Sequence, residues 1–304
     1  MRALVISGGG SKGAFAGGVA EFLIQTSSKK YDMFVGTSTG SLLISHLALG
    51  KLEKIKEIYS NVNQDTIFNN CPFVIKKKYG VDEISINHWN VLKNFIAGKQ
   101  TFGESENLRK MIKESVTLEE FNELKNGTTD VVVTVSNLSL NQVEYKSVNE
   151  CTYDEFCDWI WISSNYVPFM SLARVNGCEY ADGGLGSIVP IEEAIKRGAT
   201  EVDVVVLHTE VNYMNRMPSR NPFELLTTML SFILDRIENQ NIRIGKLVAN
   251  QKGAIINLYY TPTILTTNSL IFDKAKMTRW WQRGYLYAKN KNEETNPIAP
   301  NENE

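Results

Sequence analysis

Apolar positions open this chain as an unbroken run, Ala3-Leu4-Val5-Ile6, which stops at Gly8-Gly9-Gly10. Such a run fits a parallel strand covered on both faces, and the pattern predicts one over Arg2 to Ser7. A helix is expected at about Ala14 to Thr26. Met33-Phe34-Val35 makes a second short strand that ends in Gly36-Thr37-Ser38-Thr39-Gly40. Leu42, Leu43, Leu47 and Leu49 then mark a helix that stops near Gly50. A strand–helix–strand–helix start argues for an α/β fold, here a three-layer sandwich with a mostly parallel central sheet.

Residues 51–130 are less regular and read as an insertion or cap over one end of the sheet. They carry the run Lys76-Lys77-Lys78 and turn signals at Gly80, Gly98 and Gly103. Strands return at Val131 to Val135 and Val143 to Ser147. A helix at Tyr153 to Ser163 leads to Val167-Pro168, and a short strand, Glu179-Tyr180-Ala181, ends in Asp182-Gly183-Gly184. A helix from Ile191 to Arg197 is closed by Gly198, and Val202 to Leu207 is the plainest buried strand. Leu226, Met229, Leu230, Ile233 and Ile237 recur at helical spacing between Phe223 and Asn239, as a core-facing helix would have them. The polar segment 289–304 is expected to be a disordered tail, leaving one domain over 1–288.

Composition adds limits. A net charge of −2 gives no global attraction to nucleic acid or anionic membrane, so any bilayer affinity needs a local patch. Cys71, Cys151, Cys157 and Cys178 are scattered, which fits reduced thiols better than a disulfide framework or a zinc site. The N-terminus lacks a signal-peptide layout, and no apolar stretch is long enough to span a bilayer. The expectation is a soluble cytoplasmic protein, peripheral on a membrane at most, with secretion by a route without a cleaved signal left open. No ligand cluster calls for a metal, and no cofactor is expected.

Two glycine motifs carry chemistry. Gly36-x-Ser38-x-Gly40 lies between a strand and a helix, the context in which a serine hydroxyl is pushed out of a tight turn toward a helix N-terminus. In Gly8-Gly9-Gly10-Ser11-Lys12-Gly13, consecutive glycines let backbone N–H groups converge on one point, where an oxyanion binds well. Lys12 either anchors that loop or stands solvated. The same loop satisfies G-x-G-x-x-G through Gly8, Gly10 and Gly13, so a dinucleotide-binding module competes, with Asp32 near the spacing of the ribose acid. A Walker loop does not, because Gly13 follows Lys12.

The serine needs a base. His46 lies on the helix leading away from Ser38, and His88 sits in the irregular insertion. His208 follows a strand, and the order Ser38, Asp182, His208 matches an α/β-hydrolase triad. Asp182 by itself is the other candidate. A carboxylate is a weak base in water, near pKa 3.9, but desolvation raises that value.

Taken together, Gly8–Gly13, Gly36–Gly40 and Asp182–Gly184 resemble, in that order, the motif set of the patatin-like phospholipase family. Ser163-Ser164 with Pro168, Pro190, the Glu192-Glu193-Ala194-Ile195 helix and Trp281-Gln282-Arg283-Gly284-Tyr285 extend the likeness over most of 1–288. The resemblance implies a catalytic dyad of Ser38 and Asp182 without histidine, and an oxyanion hole within Gly8, Gly9, Gly10, Ser11, Lys12 and Gly13. Gly36, Thr37, Thr39, Gly40, Gly183 and Gly184 would support it. It also implies a lipid acyl ester as substrate, with contact at a membrane surface left open, while the small net charge argues against a nucleic-acid partner. Neither an activating protein nor an oligomeric state is legible. Ile188 stands where many relatives carry asparagine, and Asn165 and Tyr166 are bulkier than usual. Phe73-Val74-Ile75 with the lysine run, and Trp280 with Trp281, are candidate lipid contacts, packing or solvation being the plainer reading.

Overall fold

The computed structural model describes residues 1–78, 81–211, 219 and 221–295. Strands β1 (Arg2–Ile6) and β2 (Met33–Thr37) flank helix α1 (Gly13–Glu21), which continues as a π-helical turn through Phe22–Thr26. Then come α2 (Thr39–Ala48), α3 (Leu52–Asn61), α4 (Gln64–Ile67), an antiparallel hairpin of β3 (Phe73–Lys78) and β4 (Val81–Ile86), α5 (His88–Ile96), α6 (Glu106–Ser115) and α7 (Leu118–Asn126). Strands β5 (Asp130–Asn137) and β6 (Gln142–Ser147) precede α8 (Tyr153–Ser163), β7 (Ala173–Val175), β8 (Cys178–Asp182), α9 (Ile191–Lys196) and β9 (Glu201–Val206). The chain ends on α10 (Pro222–Lys252), β10 (Ile255–Tyr260) and α11 (Lys274–Thr295).

The main sheet has the order β10-β9-β1-β2-β5-β8-β7, with β6 on the other edge of β5. From β10 to β5 every pairing is parallel, while β8, β7 and β6 join antiparallel. Alternation along the buried strands makes the three layers. Leu4, Ile6, Phe34, Val131 and Val133 face one core, shared with α1, α2, α8 and α11. Ala3, Val5, Met33, Val35 and Val132 face the other, under α9 and the C-terminal half of α10.

Three expectations change. Segment 51–130 is largely helical, and Leu52, Ile55, Leu108, Ile112, Phe121 and Leu124 belong to the first core, so much of it is integral rather than a cap. Residues 289–295 continue α11, tied down where Lys291 Nζ donates to the Leu258 carbonyl at 2.6 Å, while 296–304 lie outside the described residues. Trp280 and Trp281 are buried, which removes them as lipid contacts. Helix α11 lies close on α1: a Cβ on Gly18 would stand 1.9 Å from the Trp281 carbonyl oxygen, and one on Gly284 2.1 Å from that of Phe15.

Candidate active site

Ser38 follows β2 with φ 54° and ψ −122°, a left-handed conformation costly for a residue with a Cβ. The turn closes so tightly that a Cβ on Gly36 would lie 2.6 Å from the Gly40 carbonyl carbon, and one on Gly40 2.3 Å from the Ile6 oxygen. Neighbouring elements hold the strained residue. Its N–H donates to Ser163 Oγ at 2.9 Å. Its carbonyl accepts from Ser164 Oγ at 3.1 Å, from Ser41 Oγ at 2.6 Å and from the Ser41 N–H at 2.9 Å. Thr37 Oγ1 donates to the Ser187 carbonyl at 2.9 Å, and the Thr39 hydroxyl lies against that of Tyr59.

Sheet topology brings Asp182 to this turn. Strand β6 occupies one edge of β5 from Val132 to Asn137, so β2 and β8 share the opposite edge. There they run toward each other and end on adjacent residues, Thr37 opposite Thr134 and Asp182 opposite Val135. Ser38 Oγ donates to Asp182 Oδ2 at 2.6 Å. Asp182 Oδ1 accepts the Gly184 N–H at 2.7 Å, and the Asp182 N–H donates to the Asn165 carbonyl at 3.0 Å. Gly183 sits where a Cβ would be 2.2 Å from the Thr134 oxygen. Burial pushes the Asp182 carboxyl up to about 7, against the pull of the Ser38 and Gly184 hydrogen bonds.

The glycine loop can be accounted for amide by amide. Gly8 donates to Ile188 O at 3.1 Å, Ser11 to Ser269 O at 2.9 Å and Lys12 to Gly9 O at 3.2 Å, while Gly13 donates back to Gly10 and Ser11. The Gly9 and Gly10 amides have no acceptor among the described residues. Gly10 adopts φ +56°, and a Cβ there would stand 2.4 Å from the Ser269 oxygen.

Lys12 is buried, not solvated, and burial lowers its pKa. Its Nζ lies 3.3 Å from His208 Nε2, and His208 Nδ1 lies 2.6 Å from Glu238 Oε2. Asp235 Oδ1 lies 3.4 Å from the same Nε2. Both ring nitrogens are thus engaged, and among the described residues no histidine bonds to Ser38 Oγ. Buried His46 lies 3.0 Å from the Ser115 carbonyl through Nε2, and His88 opens α5. The triad reading does not survive this geometry. Nor does the dinucleotide reading: Asp32 accepts the Arg2 N–H at 2.7 Å, at the end of the strands away from the glycine loop. Among the described residues no histidine, cysteine, aspartate and glutamate cluster is arranged to hold a metal ion.

Gly8, Gly9, Gly10, Lys12, Ser38 and Asp182 line one open pocket of about 510 Å³, walled by Thr227, Ser231 and Leu234 of α10 and by Ile264 and Phe272. Beside it lies an apolar recess among Ile55, Ile58, Val62, Met111 and Ile160. Thr39, Leu42, Ile67 and Phe272 border both.

The model of the patatin-like phospholipase family matches residues 4–195, β1 through α9, a stretch that contains all three motifs. This chain belongs to the patatin-like phospholipase family. Among solved structures, the patatin-like chain is similar to VipD from Legionella pneumophila at 15% identity and a TM-score of 0.49, the match covering 95% of this chain and 66% of VipD. The chain thus spans just under two thirds of that protein's length. No curated protein matches.

The departures from the family pattern have structural answers. Ile188 packs over Gly8 and Gly184, and the amides of Ile188 and Val189 donate to Asn241 Oδ1 at 2.8 and 3.2 Å, so a carboxamide from α10 braces the loop. Asn165 is buried and accepts from Ser105 Oγ at 2.6 Å, while Tyr166 lines the pocket. Asn241, Ser269 and Glu238 carried no local signal in the sequence, because each reaches the site only through tertiary packing.

Proposed function

We propose that this protein is a serine-dependent lipid acyl hydrolase, phospholipase A-like, that works through a Ser38–Asp182 dyad. The observation that carries this reading is the 2.6 Å hydrogen bond from Ser38 to a buried Asp182, in one pocket with two loop amides that have no acceptor among the described residues. As Ser38 Oγ attacks the ester carbonyl carbon, its proton passes to Asp182, whose pKa near 7 suits a base at neutral pH. The carbonyl oxygen gains the negative charge, and the Gly9 and Gly10 N–H groups stabilise it. Asp182 returns the proton to the departing alcohol oxygen as the C–O bond breaks, leaving an acyl-serine. Water then attacks the acyl carbon and gives its proton to Asp182. Collapse of this second tetrahedral centre releases the fatty acid, and the proton goes back to Ser38. The acyl chain lies along the apolar wall of the pocket of about 510 Å³, against Leu42, Ile67 and Phe272.

An organophosphonate ester probe tests this reading. Mass mapping is expected to find the label on Ser38, with no label in Ser38→Ala and strongly slowed labelling in Asp182→Asn. An unlabelled native protein that still binds lipid would make this a non-catalytic lipid-binding protein and end the proposal.

A further inference from the structure

Helix α5 is amphipathic in an unusual sense. Val91 and Asn94 are buried, while Trp89 is 81% exposed and Ile96 79%, with Leu92 and Phe95 exposed beside them. Trp89, Leu92 and Ile96 are spaced three and four apart and so share one face. No aspartate or glutamate occurs between Asn87 and Gly103, whereas Lys93 and Lys99 do, Lys99 pairing with Glu104 at 3.1 Å. Exposed Lys76 and Lys77 lie in the hairpin that leads into α5.

A second apolar stripe runs along the start of α10. Phe223, Leu226 and Leu230 pack on the core, and Thr227, Ser231 and Leu234 line the pocket. Leu225, Met229 and Ile233 remain exposed, with Phe232 63% exposed. This stretch, expected to turn its apolar residues to the core, is therefore apolar on its outer face as well. Ring contacts join the two stripes: Phe95 to Phe102 at 6.1 Å, Phe102 to Phe169 at 5.9 Å and Phe169 to Phe223 at 5.7 Å between centroids. Phe169 also meets Tyr166 of the pocket wall at 5.7 Å. A chain of rings thus ties α5 to α10 through the buried Phe169, and the exposed stripe of α10 lies on the same helix as Thr227, Ser231 and Leu234 of the pocket that holds Ser38.

We propose that α5 and the first turns of α10 form one docking face for an anionic phospholipid bilayer, with the pocket mouth held at its surface. The proposal rests on the lipid hydrolase reading for the purpose of the face, but not for its existence. Three features select a bilayer over a protein partner or a second copy. The α10 stripe borders the pocket of a proposed lipid substrate, the largest exposed group is a tryptophan of the kind that settles at a headgroup boundary, and Lys93 stands on α5 in a stretch, 87–103, without aspartate or glutamate. Among the described residues no helix is long and apolar enough to cross a membrane, so the contact is peripheral.

The test is co-sedimentation of the full chain with phosphatidylcholine vesicles, with and without phosphatidylserine, for the native protein and a Trp89→Ala/Ile96→Ala variant. The native protein is expected to bind, more tightly with phosphatidylserine. The variant is expected to lose about tenfold or more in partitioning and to hydrolyse vesicle lipid more slowly, while cleaving a soluble short-chain ester at the native rate. A separate Lys93→Glu variant is expected to lose most of the phosphatidylserine dependence. Unchanged vesicle binding in the double variant overturns the proposal. So does a native dimer, seen by light scattering, that the same substitutions dissolve, since the face would then belong to a second copy. Vesicle binding without hydrolysis of any ester would instead sink the hydrolase reading and leave the docking face standing.

Discussion

Ser163, 125 positions further along the chain, accepts the main-chain N–H of Ser38 at 2.9 Å, and the next residue, Ser164, donates to the Ser38 carbonyl. The last turn of α8 and the residue after it thereby grip both polar ends of a residue whose backbone is strained by about 1–3 kcal/mol. The position of Ser38 is set by this grip as much as by its own turn.

Replacing Ser163 with alanine leaves the Ser38 N–H without its acceptor, a cost of about 1–3 kcal/mol. The expected result is a fall in kcat of roughly tenfold or more with little change in KM, and a modestly lower Tm. Steady-state kinetics on a soluble ester with a parallel melt checks both. Native kinetics in Ser163→Ala would show that the turn holds itself.

The raised pKa of Asp182 gives two pH dependences. The proposed base works only when ionised, so kcat/KM should rise with pH and level off above about 7. Stability runs the other way. The unfolded carboxyl ionises near 3.8 while the folded one keeps its proton to about 7, so the folded state binds more protons in that window. Its contribution therefore falls as pH rises from about 4 to 7 and is then constant. Asp182→Asn should lack activity yet melt higher than the native protein at pH 8. Melting curves across the window, with and without the substitution, decide the point.

His208 has both ring nitrogens occupied by Lys12 and Glu238. His208→Ala should keep activity within about tenfold, the loss reflecting a slackened Lys12. A collapse of several orders of magnitude on a soluble ester would restore histidine to the proton transfer.

Leu42 stands on the apolar wall of the pocket with Ile67 and Phe272. Leu42→Trp should narrow the pocket along that wall, so long-chain esters lose most of their turnover while butyryl esters are cleaved at close to the native rate. An unchanged chain-length profile would place the acyl chain elsewhere.

The strands and helices nearest the chemistry were legible because local rules govern them. Continuous apolar runs specified β1, β2, β5 and β9, and the glycines marked where β1 and β2 had to turn. Strand β10 and helix α11 were missed for opposite reasons. Strand β10 is an edge strand whose side chains are mostly only partly covered, so its pattern is weak. In α11 the residues Met277, Trp280, Trp281, Gly284 and Ala288 do recur at helical spacing, but abundant polar residues mask them.

From its residues alone this protein declares an α/β sheet, a serine on a glycine-hinged turn, a loop of exposed amides and an Asp-Gly-Gly end, because strand periodicity and glycine's conformational freedom act within a few residues. Which groups meet was settled only in three dimensions. That Asp182 and not His208 lies against Ser38, that two loop amides lack an acceptor among the described residues, and that an apolar face flanks the pocket all depend on which segments the sheet order brings together. A hydrogen bond between residues 144 positions apart leaves no periodic trace along the chain.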